Sequence, residues 1–181
     1  MAKKILLLHG WGGSDFPHWQ SWLAGEIAKD YGEVCFLKFN NFDTPKLSVW
    51  KEQLQERLQS FQPDIVICHS LANTLWMHLC HTNSLQKIEY LYLVAPPSLT
   101  CQIQELQEFF PLTPPPHLYA QNTLLVCSDN DPYMTLEEAY TLEKKLGIKM
   151  LCIKNGGHLN AESNYGEWPW ILQEIKNKIN P

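Results

Sequence analysis

The chain has 181 residues and a formal net charge of −5, with 45% hydrophobic and 18% charged residues. That length suits one domain, residues 1–181, with a sizeable core. The acidic balance excludes a surface built to neutralise phosphates, and no apolar run approaches the ~18–20 residues that span a bilayer, so neither nucleic acid nor membrane is an expected partner. Met1-Ala2-Lys3-Lys4 followed by Ile5–Leu8 imitates the start of a secretory signal, but the apolar run stops at His9-Gly10, too early for export. A cytoplasmic location is expected.

Cys35, Cys68, Cys80, Cys101, Cys127 and Cys152 form no C-x-x-C pair and no compact Cys/His cluster, so no metal is expected. Cys35, Cys68, Cys127 and Cys152 fall in expected strands and read as small buried hydrophobes with free thiols.

In chain order, strands are expected at Lys4–Leu8, Val34–Phe39, Ile65–Cys68, Ile88–Val94, Thr123–Ser128 and Ile148–Ile153. They are short and apolar without alternation, as when both faces of a sheet are covered. The stripe Trp19, Trp22, Leu23, Ile27 predicts a helix after the first strand. Leu47, Trp50, Leu54, Leu58 and Phe61 predict another after the second. Thr135 and Glu138 make a capping box, and Gly147 stands where that helix should end. Pro169 opens the last helix. Residues 95–122, rich in proline, read as a surface excursion with a short helix near 103–110. Alternating strand and helix implies a parallel sheet with helices on both faces.

Ligands in such sheets bind beyond the carboxyl ends of the strands. The residues there are His9-Gly10-Trp11-Gly12-Gly13, then His69-Ser70-Leu71-Ala72, then Asp129-Asn130-Asp131-Pro132, then Gly156-Gly157-His158. A serine, an acid and a histidine thus fall at three strand ends in that order. Ser70 stands where a strand turns sharply into a helix. There its hydroxyl is exposed and the next amide, that of Leu71, opens the helix where an oxyanion can be held. The plainer reading of Ser70 is a helix N-cap, and of Asp131 a turn residue before Pro132.

Residues 66–72, Val-Ile-Cys-His-Ser-Leu-Ala, resemble the G-x-S-x-G elbow of α/β-hydrolases. With His9–Gly13, His18-Trp19, Trp22-Leu23, Asp131-Pro132-Tyr133 and Gly156-Gly157-His158, the chain resembles the compact serine hydrolase family of retinoblastoma-binding protein 9 and its bacterial relatives. The resemblance implies a minimal α/β-hydrolase fold, six parallel strands in the order 2-1-3-4-5-6. It implies Ser70 as nucleophile, His158 as base, Asp131 as the acid orienting it, and a second oxyanion amide from Trp11. His9, Gly10, Gly12 and Tyr133 lie beside these segments and are expected to contact substrate. No cofactor is implied. Cys68 and Ala72 replace both elbow glycines. Leu99-Thr100-Cys101-Gln102-Ile103 lacks the glutamate of an L-x-C-x-E protein-binding motif, so that role is not carried over. The expected activity is cleavage of small carboxylic esters or amides through an acyl-enzyme on Ser70. The rival is a non-catalytic binding module on the same fold.

Overall fold

The computed structural model describes residues 3–30, 32–82 and 85–179; Met1 and Ala2 of the signal-like start lie outside them. Six strands, β1 (Lys4–Leu8), β2 (Glu33–Leu37), β3 (Ile65–His69), β4 (Ile88–Val94), β5 (Ala120–Ser128) and β6 (Lys149–Ile153), form one sheet. Its order is β2-β1-β3-β4-β5-β6 and every pairing is parallel. The expected architecture and strand order are those observed.

The helices are α1 (Trp19–Asp30), α2 (Leu47–Phe61), α3 (Leu71–Cys80), α4 (Leu136–Leu146) and α5 (Pro169–Ile179). Because strand side chains alternate, each central strand feeds two cores. Leu6, Leu8, Val66, Cys68, Leu91 and Leu93 point to the face covered by α2, α3 and α4. Ile5, Leu7, Ile65, Ile67, Tyr92 and Val94 point to the face covered by α1 and α5. Both faces are apolar, which is why the strands read as continuous runs.

The local signals worked as expected at α4. Thr135 accepts from Glu138 N–H, Glu138 accepts from Thr135 N–H, and Gly147 ends the helix at φ 64°. Strand ends differ. β2 stops at Leu37, and Phe39 leaves the sheet to donate its N–H to His9 Nε2 at 2.9 Å. β5 begins three residues early, at Ala120, where it pairs with Ile88. The cysteine expectation needs correction at the sheet's edges. Cys68 and Cys127 are buried, but Cys35 on β2 is half-buried and Cys152 on β6 is exposed. Each edge strand lacks a neighbour on one side, which a count of apolar residues does not reveal. The excursion over residues 95–122 is more than surface: its short helical turn, Gln104–Phe109, buries Leu106 and Phe109 in the core beside α3.

Candidate active site

β3 ends at His69 and α3 begins at Leu71, leaving Ser70 on the corner with φ 54° and ψ −124°. That region costs a side-chain-bearing residue of order 1–3 kcal/mol, so the surroundings must hold it. Ser70 N–H donates to Val94 O at 3.0 Å. Asn73 Nδ2, one helical turn on, donates to Ser70 O and to Val94 O, both at 2.8 Å. Cys68 and Ala72 are fully buried, and the glycine that makes room lies elsewhere. A Cβ on Gly10 would stand 2.6 Å from Ser70 Cβ. Ser70 occupies the N-cap position of α3, yet its side chain makes no capping bond.

The Ser70 hydroxyl instead meets His158, with Oγ 2.8 Å from Nε2. The other ring nitrogen, Nδ1, faces Asp131 at 3.0 Å (Oδ1) and 2.9 Å (Oδ2). A carboxylate only accepts, so Nδ1 carries the proton and the Nε2 lone pair faces the hydroxyl. The side chains of His158 and Asp131 are 8% and 3% exposed, shielding the pair from competing water. Asp131 Oδ1 also accepts Tyr133 N–H at 2.9 Å.

Three consecutive side chains at the end of β5 grip the three residues before His158. Asp129 Oδ1 accepts Asn155 N–H at 2.7 Å, Ser128 Oγ accepts Gly156 N–H at 2.9 Å, and Asn130 Oδ1 accepts Gly157 N–H at 2.7 Å. Ser128 Oγ in turn donates to Asn130 Oδ1. The loop is steep: Gly157 has φ 56°, and a Cβ there would stand 2.3 Å from Ser163 Oγ. Of the two aspartates, Asp131 turns to the histidine and Asp129 to the loop backbone.

Gly10 abuts the start of α3, since its Cβ position lies 3.1 Å from Leu71 N. Among the described residues, no group accepts a hydrogen bond from the amide of Leu71 or of Trp11. The loop bearing Trp11 is pinned from outside: its indole donates to Asp43 O at 2.9 Å and Gly12 N–H to Phe42 O at 3.1 Å.

His9, expected to contact substrate, is 2% exposed and turned inward. Its Nδ1 donates to Gly10 O at 2.7 Å while Nε2 accepts from Phe39. It anchors the loop and does not line the cavity; Gly10 serves as the space under the corner. Gly12, Trp11 and Tyr133 do line the cavity, and the Tyr133 ring lies 4.5 Å from that of His158. His69 donates from Nε2 to His158 O at 3.1 Å, and its ring contacts both His158 and His18. Burial holds His9, His18 and His69 neutral: it lowers all three, His18 to about 3 and His69 well below the usual histidine value.

The cavity in front of Ser70 has a volume of about 380 Å³. Sequence reading missed much of its lining: Ser14, Asp15, His18, Pro97, Cys101, Ile103, Leu106, Asn160 and Glu162. A clue to Ser14 and His18 was available in their place, just after the glycine loop. A larger groove, about 860 Å³, lies at the amino ends of β4 and β5 near Lys87 and Asn122, the opposite end of the strands from Ser70. Among the described residues no cluster of His, Cys, Asp or Glu could hold a metal, and no helix is long and apolar enough to cross a membrane.

A six-stranded parallel sheet with a strained serine at the β3–α3 corner defines an α/β-hydrolase fold. Residues 5–177 match the Serine hydrolase family, and the chain belongs to it. Among solved structures it is similar to the ydeN gene product of B. subtilis, with 18% identity, 99% of this chain and 100% of that one covered, and a TM-score of 0.88. A YdeN-like protein from Pectobacterium atrosepticum gives 23% identity, 99% and 94% coverage and a TM-score of 0.77. The carboxylesterase CesB of Bacillus subtilis gives 13%, 96% and 82%, and 0.66. At these identities the likeness is one of fold. No curated protein sequence matches the chain significantly.

Proposed function

We propose that the protein is a serine hydrolase that cleaves small carboxylic esters or amides through an acyl-enzyme on Ser70. The observation that carries the reading is the line Ser70 Oγ–His158 Nε2–His158 Nδ1–Asp131, at 2.8 Å and 2.9 Å, with the serine on a strained strand–helix corner. Ser70 attacks the acyl carbonyl as His158 takes its proton on Nε2. Asp131 holds the ring in the right tautomer and stabilises the imidazolium. The amides of Leu71 and Trp11, both without partners among the described residues, receive the oxyanion. His158 then gives its proton to the leaving group. Water, activated by the same nitrogen, releases the acid.

The cavity, about 380 Å³, has Pro97, Cys101, Ile103 and Leu106 as apolar lining, a small surface against which to cover an acyl chain. Rates on p-nitrophenyl esters are expected to peak at acyl chains of about two to six carbons, because each methylene gains ~0.8 kcal/mol only while wall remains to cover it.

The test is an active-site-directed fluorophosphonate. It should add to Ser70, and Ser70→Ala should abolish both labelling and turnover with the circular dichroism unchanged. Undiminished labelling of the alanine variant would discard Ser70 as nucleophile. A native chain that never labels would stand with the non-catalytic binding reading.

A further inference from the structure

The carbonyls of His158 and Leu159 are both held by ring donors from distant parts of the chain. His69 Nε2 lies 3.1 Å from His158 O, and Trp19 Nε1 donates to Leu159 O at 2.7 Å. A carbonyl only accepts, so the His69 ring carries a proton on Nε2. The two donors are neighbours, since the His69 and Trp19 rings meet edge to face with 5.8 Å between centroids. His69 is the last residue of β3, next to Ser70, and Trp19 is the first of α1. His69, Trp19 and Leu159 are all buried.

The backbone they hold is strained. Leu159 has φ 49°, a left-handed conformation that a bulky side chain disfavours. Turning over the peptide between His158 and Leu159 would bring Leu159 to a negative φ. Two bonds resist that relaxation: the peptide's C=O accepts from His69, and its N–H donates to Gly156 O at 3.1 Å. Turning the peptide would also strand the buried His69 N–H. With His69 gone, the Gly156 bond alone would hold it. The carbonyl carbon of this peptide is bonded to the Cα that carries the His158 imidazole, so its movement tilts the ring off the line from Asp131 to Ser70.

We infer that His69 and Trp19 are positioning residues, a clamp that acts through the backbone of His158 and Leu159 to keep Nε2 on the Ser70 hydroxyl. The inference rests on the hydrolase reading, and neither residue is given a part in the proton transfer. The clamp completes the placement of the base. The bonds from Ser128, Asp129 and Asn130 tie the histidine loop to the strand that leads to the acid. His69 ties it to the strand that leads to the nucleophile. The base is thereby set against both of its partners.

Two exchanges at His69 test the clamp. His69→Leu removes the donor at similar bulk, and His69→Gln can place an amide N–H near the position of the imidazole Nε2. On p-nitrophenyl acetate, His69→Leu should lower kcat by about 10-fold to 100-fold with KM within about twofold, because the ring is misplaced and the cavity is not. His69→Gln should restore most of the loss. In a chain already carrying Asp131→Asn, whose imidazole has lost its orienting acceptor, His69→Leu should cost less than about threefold more. Trp19→Phe keeps an aromatic ring and drops the indole N–H; it should lower kcat by about fivefold and serves as the second variant should His69→Leu not fold. A native kcat in His69→Leu, or in Trp19→Phe where it stands in, overturns the clamp. So does a loss that His69→Gln fails to restore, or one that adds in full to that of Asp131→Asn. In each of these cases fluorophosphonate labelling of native Ser70 keeps the hydrolase reading standing. Absence of labelling overturns both.

Discussion

The nucleophile corner and the histidine loop bring Ser70 Oγ and His158 Nε2 to 2.8 Å, yet they are held by different means. The corner is fixed by packing. β3 and α3 are almost wholly buried, Gly10 presses against Ser70 with no room for a methyl group, and Asn73 adds a side-chain tether. The histidine loop is partly exposed and is fixed by polar tethers, one each from Ser128, Asp129 and Asn130 to three successive amides. A strained backbone such as that of Ser70 needs a rigid apolar surround, because many close contacts resist relaxation. A loop that must place a ring between a carboxylate and a hydroxyl needs direction, which hydrogen bonds supply.

The largest expected effect lies at the junction. Asp131→Asn should lower kcat by roughly 10³–10⁴-fold with little change in KM, since the ring would lose its orienting acceptor. Asp129→Asn keeps an oxygen for Asn155 N–H and should stay within a few-fold of the native rate. Steady-state kinetics on both variants decide the matter, and the opposite ranking would exchange their roles.

Next come two substitutions that set packing against tethering. Gly10→Ala forces a methyl group into the corner and should cost both about 1–3 kcal/mol of stability and about 100-fold in kcat/KM. Asn130→Ala removes the acceptor of Gly157 N–H and Ser128 Oγ–H. It should lower kcat by about tenfold, leave KM alone and cost only about 1 kcal/mol. Denaturant midpoints beside kinetics separate the two, and equal losses in both measures for both variants would dissolve the contrast.

A further effect is one of pH, and it bears on stability and not on the chemical step. His9, His18 and His69 cluster around the corner, and burial lowers all three. The unfolded chain binds protons at these groups below pH ~6.5 while the folded chain refuses them, so their stabilisation is complete above that pH and is lost as pH falls. For His18, whose folded value is about 3, the loss by pH 5 is about 2 kcal/mol. Tm should therefore fall between pH 7 and 5, and His18→Asn should flatten that slope. A Tm independent of pH over this range would show that the histidines are not held neutral.

The sequence alone was enough for the strand and helix order, the capping box of α4, the start of α5 at Pro169 and the placement of a serine, an acid and a histidine at three strand ends. These are local matters. Apolar spacing and end-capping residues act within a turn or two of chain, and the covered faces of a parallel sheet follow from them. The tertiary structure decided the rest. Which of two aspartates two positions apart turns toward the histidine depends on how the β5 loop leaves the sheet. That His9 points inward depends on Phe39 leaving β2 early to reach it. The glycine that relieves the corner is Gly10, in the loop that follows β1, brought there by the pairing of β1 with β3, and no inspection of residues 68–72 could show it. Cys152 is exposed only because β6 is an edge. Ser14 and His18 become cavity residues only once α1 packs under His69. Each of these outcomes joins residues far apart in the chain, and such contacts are set by sheet register and helix docking, to which a local pattern is blind.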